Sequence, residues 1–182
     1  MGRTDAPLSR DGLVQARTLA EEMGAIPLAR LCSSPAGRAM ATLAPLAARI
    51  GMEVEPLPAL DEIDMGEWDG LSFDVIRERF PREYAERGKR LGAYRVPGGE
   101  SFEDVAERAM EALGELARGP KPVLAATHAG VIRAVLCRIT GHPLDGLFRF
   151  TPSYARCTIL RGDGTYEIVA EDVFARTVRE LL

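Results

Sequence analysis

Three short segments of the sequence carry residue types that could bind and process a phosphate group. In the first, Arg38 follows Ser33-Ser34-Pro35 and falls just inside the start of an alanine-rich helix. A helix start offers free backbone N–H groups and the positive end of the helix dipole, and a guanidinium adds a two-pronged donor. Together these features predict an anion site. The alternative is an arginine whose stem merely covers apolar neighbours.

An acidic loop forms the second segment. Within nine residues it holds five carboxylates, namely Asp61, Glu62, Asp64, Glu67 and Asp69. Beside a phosphate site, Glu62 could donate a proton to a leaving alkoxide. A solvated acidic loop and a metal site are the alternatives. Because no histidine lies nearby to complete a metal cluster, we expect no metal ion. We also expect no other cofactor.

His128 provides the third segment. It is one of only two histidines, and it follows the apolar run 122–127 and precedes Ala129-Gly130. Small residues let a ligand approach, and ligands of α/β folds bind beyond the carboxyl ends of the strands. His128 is therefore a candidate catalytic group, with a satisfied structural histidine as the alternative. The other histidine, His142, is expected in a turn and outside the chemistry.

Alternating helices and strands must position these three segments. Strands are predicted at 28–32, 53–60, 122–127, 154–160 and 165–170. Helices are predicted after Ser9, after Pro35 as far as Gly51, at 73–79 and 81–90, after a capping box at Ser101, and at 131–140. This order favours a three-layer α/β/α sandwich with a mostly parallel sheet. Arg38, Glu62 and His128 each follow a strand, so we expect them at one edge of that sheet.

Length and composition restrict the class of protein. The chain has 182 residues, 46% hydrophobic and 27% charged, which predicts a single domain over residues 1–182 and excludes a disordered or coiled-coil protein. Residues 66–99 have the weakest pattern and are a candidate lid insertion. A net charge of −4 disfavours nucleic-acid partners, and no apolar run reaches the roughly 18 residues of a membrane span. Three cysteines without C-x-x-C spacing indicate reduced thiols and a cytoplasmic location.

Five motifs follow one another along most of the chain. They are Pro7-Leu8-Ser9-x-x-Gly12-x-x-Gln15-Ala16, Ser33-Ser34-x-x-x-Arg38-x-x-x-Thr42, Leu60-x-Glu62-x-x-x-Gly66-x-x-x-Gly70, Pro97-Gly98-Gly99-Glu100-Ser101 and Thr127-His128-Ala129-Gly130-Val131-Ile132-Arg133. In this order and spacing they resemble the histidine phosphatase superfamily, which includes the cofactor-dependent phosphoglycerate mutases. The third and fourth motifs are most similar to small bacterial phosphatases, including those that act on α-ribazole phosphate.

The resemblance implies a phosphoglycerate mutase-like fold and a metal-free phosphatase mechanism. In that mechanism a histidine attacks the phosphoryl group, and water hydrolyses the resulting phosphohistidine. By match of motif, Glu62 is the general acid and His128 the second histidine of the catalytic group. Arg38 is the second phosphate-binding arginine, and Thr4 and Gly130 are further expected substrate contacts. The implied substrate is a small phosphorylated metabolite, such as α-ribazole phosphate or a sugar phosphate.

One departure from the family pattern affects the chemistry. The family has a strand leading into an Arg-His-Gly triplet about ten residues before the Pro-Leu-Ser motif, whereas here only the residues from Met1 to Ala6 precede Pro7. The first strand and the nucleophilic histidine are therefore missing. We expect the chain as given to be inactive, and a functional form to carry roughly 15–25 further residues before Met1, one strand and a loop.

Several alternatives remain open. A non-catalytic protein that binds a phosphorylated ligand would also use Arg38 and His128. Phosphoglycerate mutase-type phosphoryl transfer is a further alternative, although residues 66–99 are short for the larger mutases of the family, which favours hydrolysis. Cys32 and Arg38 have the C-x5-R spacing of cysteine-dependent phosphatases, although Pro35 removes one of the N–H groups that would cradle a phosphate. No membrane partner is expected. An exposed edge strand leaves a homodimer open.

Overall fold

Helices and strands alternate along most of the chain in the computed structural model, which describes residues 2–182. The helices are α1 (Arg10–Met23), α2 (Gly37–Ile50), α3 (Phe73–Arg79), α4 (Pro81–Lys89), α5 (Phe102–Arg118), α6 (Ala129–Thr140) and α7 (Ala175–Leu181). The strands are β1 (Arg30–Ser33), β2 (Val54–Pro56), β3 (Val123–Ala126), β4 (Cys157–Gly162) and β5 (Tyr166–Val173). Short 3₁₀ turns lie at Pro58–Leu60, Gly66–Trp68 and Leu144–Arg149.

A parallel sheet in the order β2-β1-β3 forms the centre of the fold. Leu31 of β1 lies opposite Val54 of β2 on one side and Leu124 of β3 on the other. Because these strands run the same way, their carboxyl ends share one edge of the sheet. The segments that follow the three strands begin at that edge, at Ser34 after β1, at Leu57 after β2 and at Thr127 after β3. The predicted α/β fold with a parallel sheet is confirmed.

The strands β4 and β5 form a separate antiparallel pair. The fold has two apolar cores, one on each side of the strands. Ile159 packs into the core that also contacts Leu124 of β3, and Leu160 packs into the second core, beside α6. The pair therefore lies between the same helix layers as the parallel sheet. Within residues 2–182, β3 pairs only with β1, and β4 only with β5. The expectation that a first strand is missing stays a prediction.

Two apolar cores hold the helices against the strands. One lies under α1, α2 and α7, and the other under α5 and α6. The amphipathic helix α5 begins at the predicted capping box, in which the Ser101 side chain accepts from the Asp104 N–H and the Asp104 side chain accepts from the Ser101 N–H. Its buried positions include the predicted Val105, Ala109 and Leu116. The predicted periodicity of this helix is therefore confirmed.

The segment 66–99 carries α3 and α4 and is anchored by aromatic packing. Trp68 is 2% exposed, and its ring centroid lies 6.0 Å from those of Phe80 and Tyr94. Whether this segment acts as a lid stays a prediction. The single-domain boundaries and the cytoplasmic location also stay predictions. Among the helices in residues 2–182, none combines the length and the apolar character needed to cross a bilayer.

Candidate active site

Arg38 and His128 meet at the carboxyl edge of the parallel sheet. Arg38 lies in the first turn of α2, after β1, and His128 is the N-cap residue of α6, after β3. Arg38 Nη2 lies 3.3 Å from His128 Nδ1. The neighbouring strands β1 and β3 thus bring together two side chains that are 90 positions apart in the sequence. The starts of two helices, each with free backbone N–H groups, converge on this point.

Residues at the amino terminus cover the Arg38 guanidinium. Arg38 Nη1 donates to the carbonyl oxygen of Thr4 at 2.9 Å, and Nη2 donates to that of Gly2 at 3.2 Å. The Thr4 hydroxyl points elsewhere and donates to Asp69 Oδ1 at 3.1 Å. The structure therefore brings the backbone of Thr4 to Arg38, whereas its side chain binds the acidic loop. A substrate contact through Thr4 stays a prediction.

His128 is buried and held through both ring nitrogens. Nδ1 faces Arg38, and Nε2 lies 2.8 Å from the Oγ of Ser34. The same Ser34 Oγ also contacts Asp61 Oδ1. Burial and the nearby positive charge of Arg38 lower the pKa of His128 to about 4, although Asp61 acts in the opposite direction. The imidazole is therefore neutral near pH 7.

Glu62 reaches the start of α6, directly beside His128. Its Oε2 accepts from the Gly130 N–H at 3.2 Å, and Oε1 accepts from the Ile63 N–H at 2.9 Å. A carboxylate is well placed there because the N-terminal end of a helix carries a positive partial charge. Gly130 is required for this approach, since a Cβ at that position would lie only 2.2 Å from Glu62 Oε1. Glu62, His128 and Gly130, predicted separately, thus belong to one cluster.

A partly buried ion pair that the motifs did not assign to the site supports the loop carrying Glu62. Arg108 of α5 binds both carboxylate oxygens of Glu100, at 2.9 and 3.0 Å. The same guanidinium donates to the carbonyl oxygens of Ala59, at 2.7 Å, and Glu62, at 3.3 Å. Arg3 also bonds the Glu62 carbonyl oxygen, at 3.2 Å. The only sequence signal for Arg108 is its position eight residues after Glu100, on the helix that follows the fourth motif.

Two other candidate groups lie away from this cluster or are unsuited to the chemistry. His142 packs on Phe150, with ring centroids 6.0 Å apart, and lines a cavity with Cys137 and Asp145. Cys32 lies within β1 and is fully buried, and burial together with Glu55 raises the pKa of its thiol. A buried thiol with a raised pKa lacks the thiolate that a cysteine-dependent phosphatase needs. Residues 2–182 also contain no cluster of three or more His, Cys, Asp or Glu side chains that could hold a metal ion.

The charges and hydrogen-bonding groups of Arg38, Glu62 and His128 indicate which reaction this cluster could support. Arg38 and the start of α6 present positive charge and N–H donors, which suit a phosphoryl group. Glu62 lies at the same helix start, where a carboxyl group could transfer a proton to a leaving oxygen. His128 adds a neutral imidazole with one lone pair. This combination of groups fits phosphate-ester chemistry.

Comparisons with known proteins agree with this arrangement. The sequence model of the family described as "Histidine phosphatase superfamily (branch 1)" matches residues 1–171. A Caenorhabditis elegans 6-phosphofructo-2-kinase/fructose-2,6-bisphosphatase is 36% identical over 151 residues, which are 81% of this chain and 32% of that protein. A Gallus gallus protein of the same name is 35% identical over 85% of this chain and 31% of its own length. The chain thus spans about a third of the length of these curated relatives.

Solved structures share the fold over nearly the whole chain. Mycobacterial glucosyl-3-phosphoglycerate phosphatase in complex with inorganic phosphate has a TM-score of 0.84 and 26% identity, covering 97% of this chain and 92% of that one. Bacillus stearothermophilus YhfR has a TM-score of 0.87 and 27% identity, covering 95% and 88%. A putative alpha-ribazole-5'-P phosphatase from Escherichia coli, at 17% identity and a TM-score of 0.85, supports the fold alone.

Proposed function

The chain belongs to the histidine phosphatase superfamily, and from that premise we propose that its Arg38–His128 pocket binds the phosphoryl group of a small phosphorylated metabolite, in the service of phosphomonoester hydrolysis. The observation that supports this most is the 3.3 Å contact between Arg38 Nη2 and His128 Nδ1 at the meeting of two helix starts. A phosphate dianion carries more charge than the two carbonyl oxygens that now contact Arg38, and it would compete with them for the guanidinium.

Each residue of the cluster has a separate role in this proposal. Arg38 neutralises the charge on the phosphoryl oxygens, and His128 contacts the same group. Glu62 donates the proton that a leaving alkoxide needs, and Gly130 leaves room for that carboxyl group beside the helix start. These assignments follow the family pattern residue by residue and are supported by the clustering of all four residues.

In this proposal, residues 2–182 contain groups that bind the phosphoryl group and donate a proton. Both ring nitrogens of His128 are bonded, to Arg38 and Ser34, and His142 lines a different cavity. By match of motif, neither of them is the histidine that forms the phosphohistidine in the family. We accordingly propose that the 182-residue chain on its own binds phosphate without turning over a phosphomonoester.

The proposed substrate class is that of phosphorylated sugars or similar metabolites. The names of two matched proteins, fructose-2,6-bisphosphatase and glucosyl-3-phosphoglycerate phosphatase, support this class. α-Ribazole phosphate, which the sequence motifs suggested, belongs to the same chemical range, a phosphate ester on a sugar. A panel of sugar phosphates, tested for displacement of bound inorganic phosphate, ranks these candidates.

Calorimetric titration of the chain with inorganic phosphate tests the proposal. Losing a charged hydrogen bond costs about 1.5–3 kcal/mol, so Arg38→Ala should weaken binding roughly 10- to 150-fold. Arg161→Ala is the matched control, because Arg161 is exposed and its Nη2 donates to the Leu181 carbonyl oxygen. p-Nitrophenyl phosphate should not be hydrolysed by either variant or by the unchanged chain. Equal phosphate affinity in all three proteins would contradict the proposed pocket.

A further inference from the structure

The His128 imidazole lies within a chain of hydrogen bonds that runs from Arg38 to Asp61. Nδ1 faces Arg38 Nη2 at 3.3 Å, and Nε2 faces Ser34 Oγ at 2.8 Å. Ser34 Oγ also contacts Asp61 Oδ1 and accepts from the Ala36 N–H at 3.2 Å. The motifs do not predict this chain of hydrogen bonds, because it joins side chains from three separate segments.

One arrangement of protons satisfies every hydrogen bond in this chain. A guanidinium has donors and no acceptor, so His128 Nδ1 must present its lone pair to Arg38. A neutral ring then carries its proton on Nε2 and donates it to Ser34 Oγ. The single hydroxyl proton of Ser34 is left for the carboxylate of Asp61, which only accepts when it is ionised.

Because these side chains are buried, any other arrangement of protons would leave hydrogen-bonding groups without partners. Ser34 is 0% and His128 8% exposed, so water has little access to replace a missing partner. The reversed tautomer would place an imidazole N–H against the N–H groups of Arg38. An imidazolium would do the same and add a like charge, since Arg38 and Arg108 both lower the pKa of His128 and only Asp61 raises it, while burial has the largest effect.

We propose that Ser34 and Asp61 are positioning residues that, together with Arg38, fix His128 as the neutral tautomer protonated at Nε2, with the Nδ1 lone pair turned toward Arg38. They act through the imidazole and do not contact the ligand. Ser34 orients the ring because its oxygen accepts from Nε2. Asp61 orients the hydroxyl because it takes the only proton that the hydroxyl can give.

The fixed lone pair has a consequence for ligand binding, and this step rests on the proposed function. A phosphoryl dianion facing Nδ1 would meet a lone pair with its own negative charge. One proton taken from solvent and shared between Nδ1 and a phosphoryl oxygen removes this repulsion, and no bond in the phosphate breaks. Binding of inorganic phosphate near pH 8 should therefore take up about one proton, measured by calorimetry in buffers of different ionisation enthalpy.

Two-bond proton–nitrogen correlation spectra of the ¹⁵N-labelled chain test the tautomer directly. The sequence has only two histidines, so His142→Gln assigns the remaining imidazole to His128. Near pH 7 we expect an unprotonated Nδ1 and a protonated Nε2 at His128. A protonated Nδ1, or an imidazolium, in the unchanged chain would overturn the proposal without any variant being made.

Three substitutions separate positioning from general stability. Ser34→Ala should shift the His128 nitrogen signals toward the average of exchanging tautomers, and Ser34→Thr should restore them because it keeps the hydroxyl. Ser33→Ala is the matched control, since Ser33 is equally buried but its hydroxyl donates to the Ser34 carbonyl oxygen. A His128 spectrum unchanged in Ser34→Ala, or changed equally in Ser33→Ala, would refute the role of Ser34.

The spectra do not depend on ligand binding, so the two proposals can fail separately. If the chain binds no phosphate while His128 shows the Nε2–H tautomer, the positioning role stands and the proposed function fails. If phosphate binds and His128 shows the opposite tautomer, the pocket stands and the positioning role is refuted. Should Ser34→Ala fail to fold, the unchanged chain and Ser34→Thr still decide the question.

Discussion

The close approach of Glu62 to Gly130 reverses the usual effect of replacing a helical glycine by alanine. Alanine favours a helix interior by about 1 kcal/mol over glycine, so such a change normally stabilises. At Gly130 the added Cβ would lie 2.2 Å from Glu62 Oε1 and 3.0 Å from its Cδ. The carboxylate must then leave the start of α6.

The expected magnitude follows from the hydrogen bond that the displaced carboxylate gives up. Moving the carboxylate breaks its bond from the Gly130 N–H, at 3.2 Å. A hydrogen bond to a charged group contributes about 1.5–3 kcal/mol, and the alanine returns about 1 kcal/mol or less. We therefore expect Gly130→Ala to lower the free energy of unfolding by about 0.5–2 kcal/mol, within the typical range for a point substitution.

A second glycine provides the control. Gly114 lies within α5, and a Cβ there would have no atom within 4 Å. Gly114→Ala should raise the free energy of unfolding by about 0.5–1 kcal/mol, so the two substitutions should have opposite signs. Urea unfolding followed by circular dichroism measures both. A Gly130→Ala protein as stable as Gly114→Ala would refute the placement of Glu62 against the start of α6.

Three further predictions concern His128, Cys157 and the ion pair between Arg108 and Glu100. The pKa of His128 is about 4 in the folded chain and about 6.5 in the unfolded chain, so the unfolded state binds more protons between these pH values. Lowering the pH from about 7 to about 5 should therefore reduce the free energy of unfolding by about 2 kcal/mol through this group. His128→Gln should make the free energy of unfolding, measured by urea melts, depend less on pH over this range. Burial raises the pKa of the Cys157 thiol to about 11, which lowers its thiolate fraction at neutral pH. Iodoacetamide should therefore react with Cys157 on the order of a hundredfold more slowly than with a free cysteine. Labelling of Cys157 at the rate of free cysteine would contradict this. Arg108→Met should lower the free energy of unfolding by about 2 kcal/mol or more, because it removes the main partner of the Glu100 carboxylate. An unchanged midpoint of urea unfolding would show that the ion pair has no structural role.

The positions of Arg38, Glu62 and His128 could be predicted because each follows a strand of a parallel sheet. A parallel sheet places all its carboxyl ends at one edge, so an apolar run followed by a polar residue already indicates where that residue lies. The starts of α1 and α5 could be predicted for a different reason, because the Ser9 cap and the Ser101 capping box involve residues only three positions apart.

Hydrogen bonds between distant segments could not be predicted. Ser34 and Asp61 are 27 positions apart, and Ser34 and His128 are 94 apart. Their bonds depend on how closely the strands and loops pack. Helix α7 was not predicted, and the strands β4 and β5 begin and end later than their hydrophobic pattern indicated. The ends of these strands depend on pairing between the two segments, which the hydrophobic pattern of each segment alone does not show.

The location of the phosphate pocket is tested most directly by following the backbone amide signals of the ¹⁵N-labelled chain while inorganic phosphate is added. We expect the largest saturable shifts at Gly130 and in the first turn of α2 around Arg38, with Arg38→Ala abolishing them at the same phosphate concentration. Saturable shifts confined to the separate cavity lined by Gly92 and His142, or shifts at α2 and α6 that persist in Arg38→Ala, would contradict a phosphoryl-binding pocket formed by Arg38 and His128.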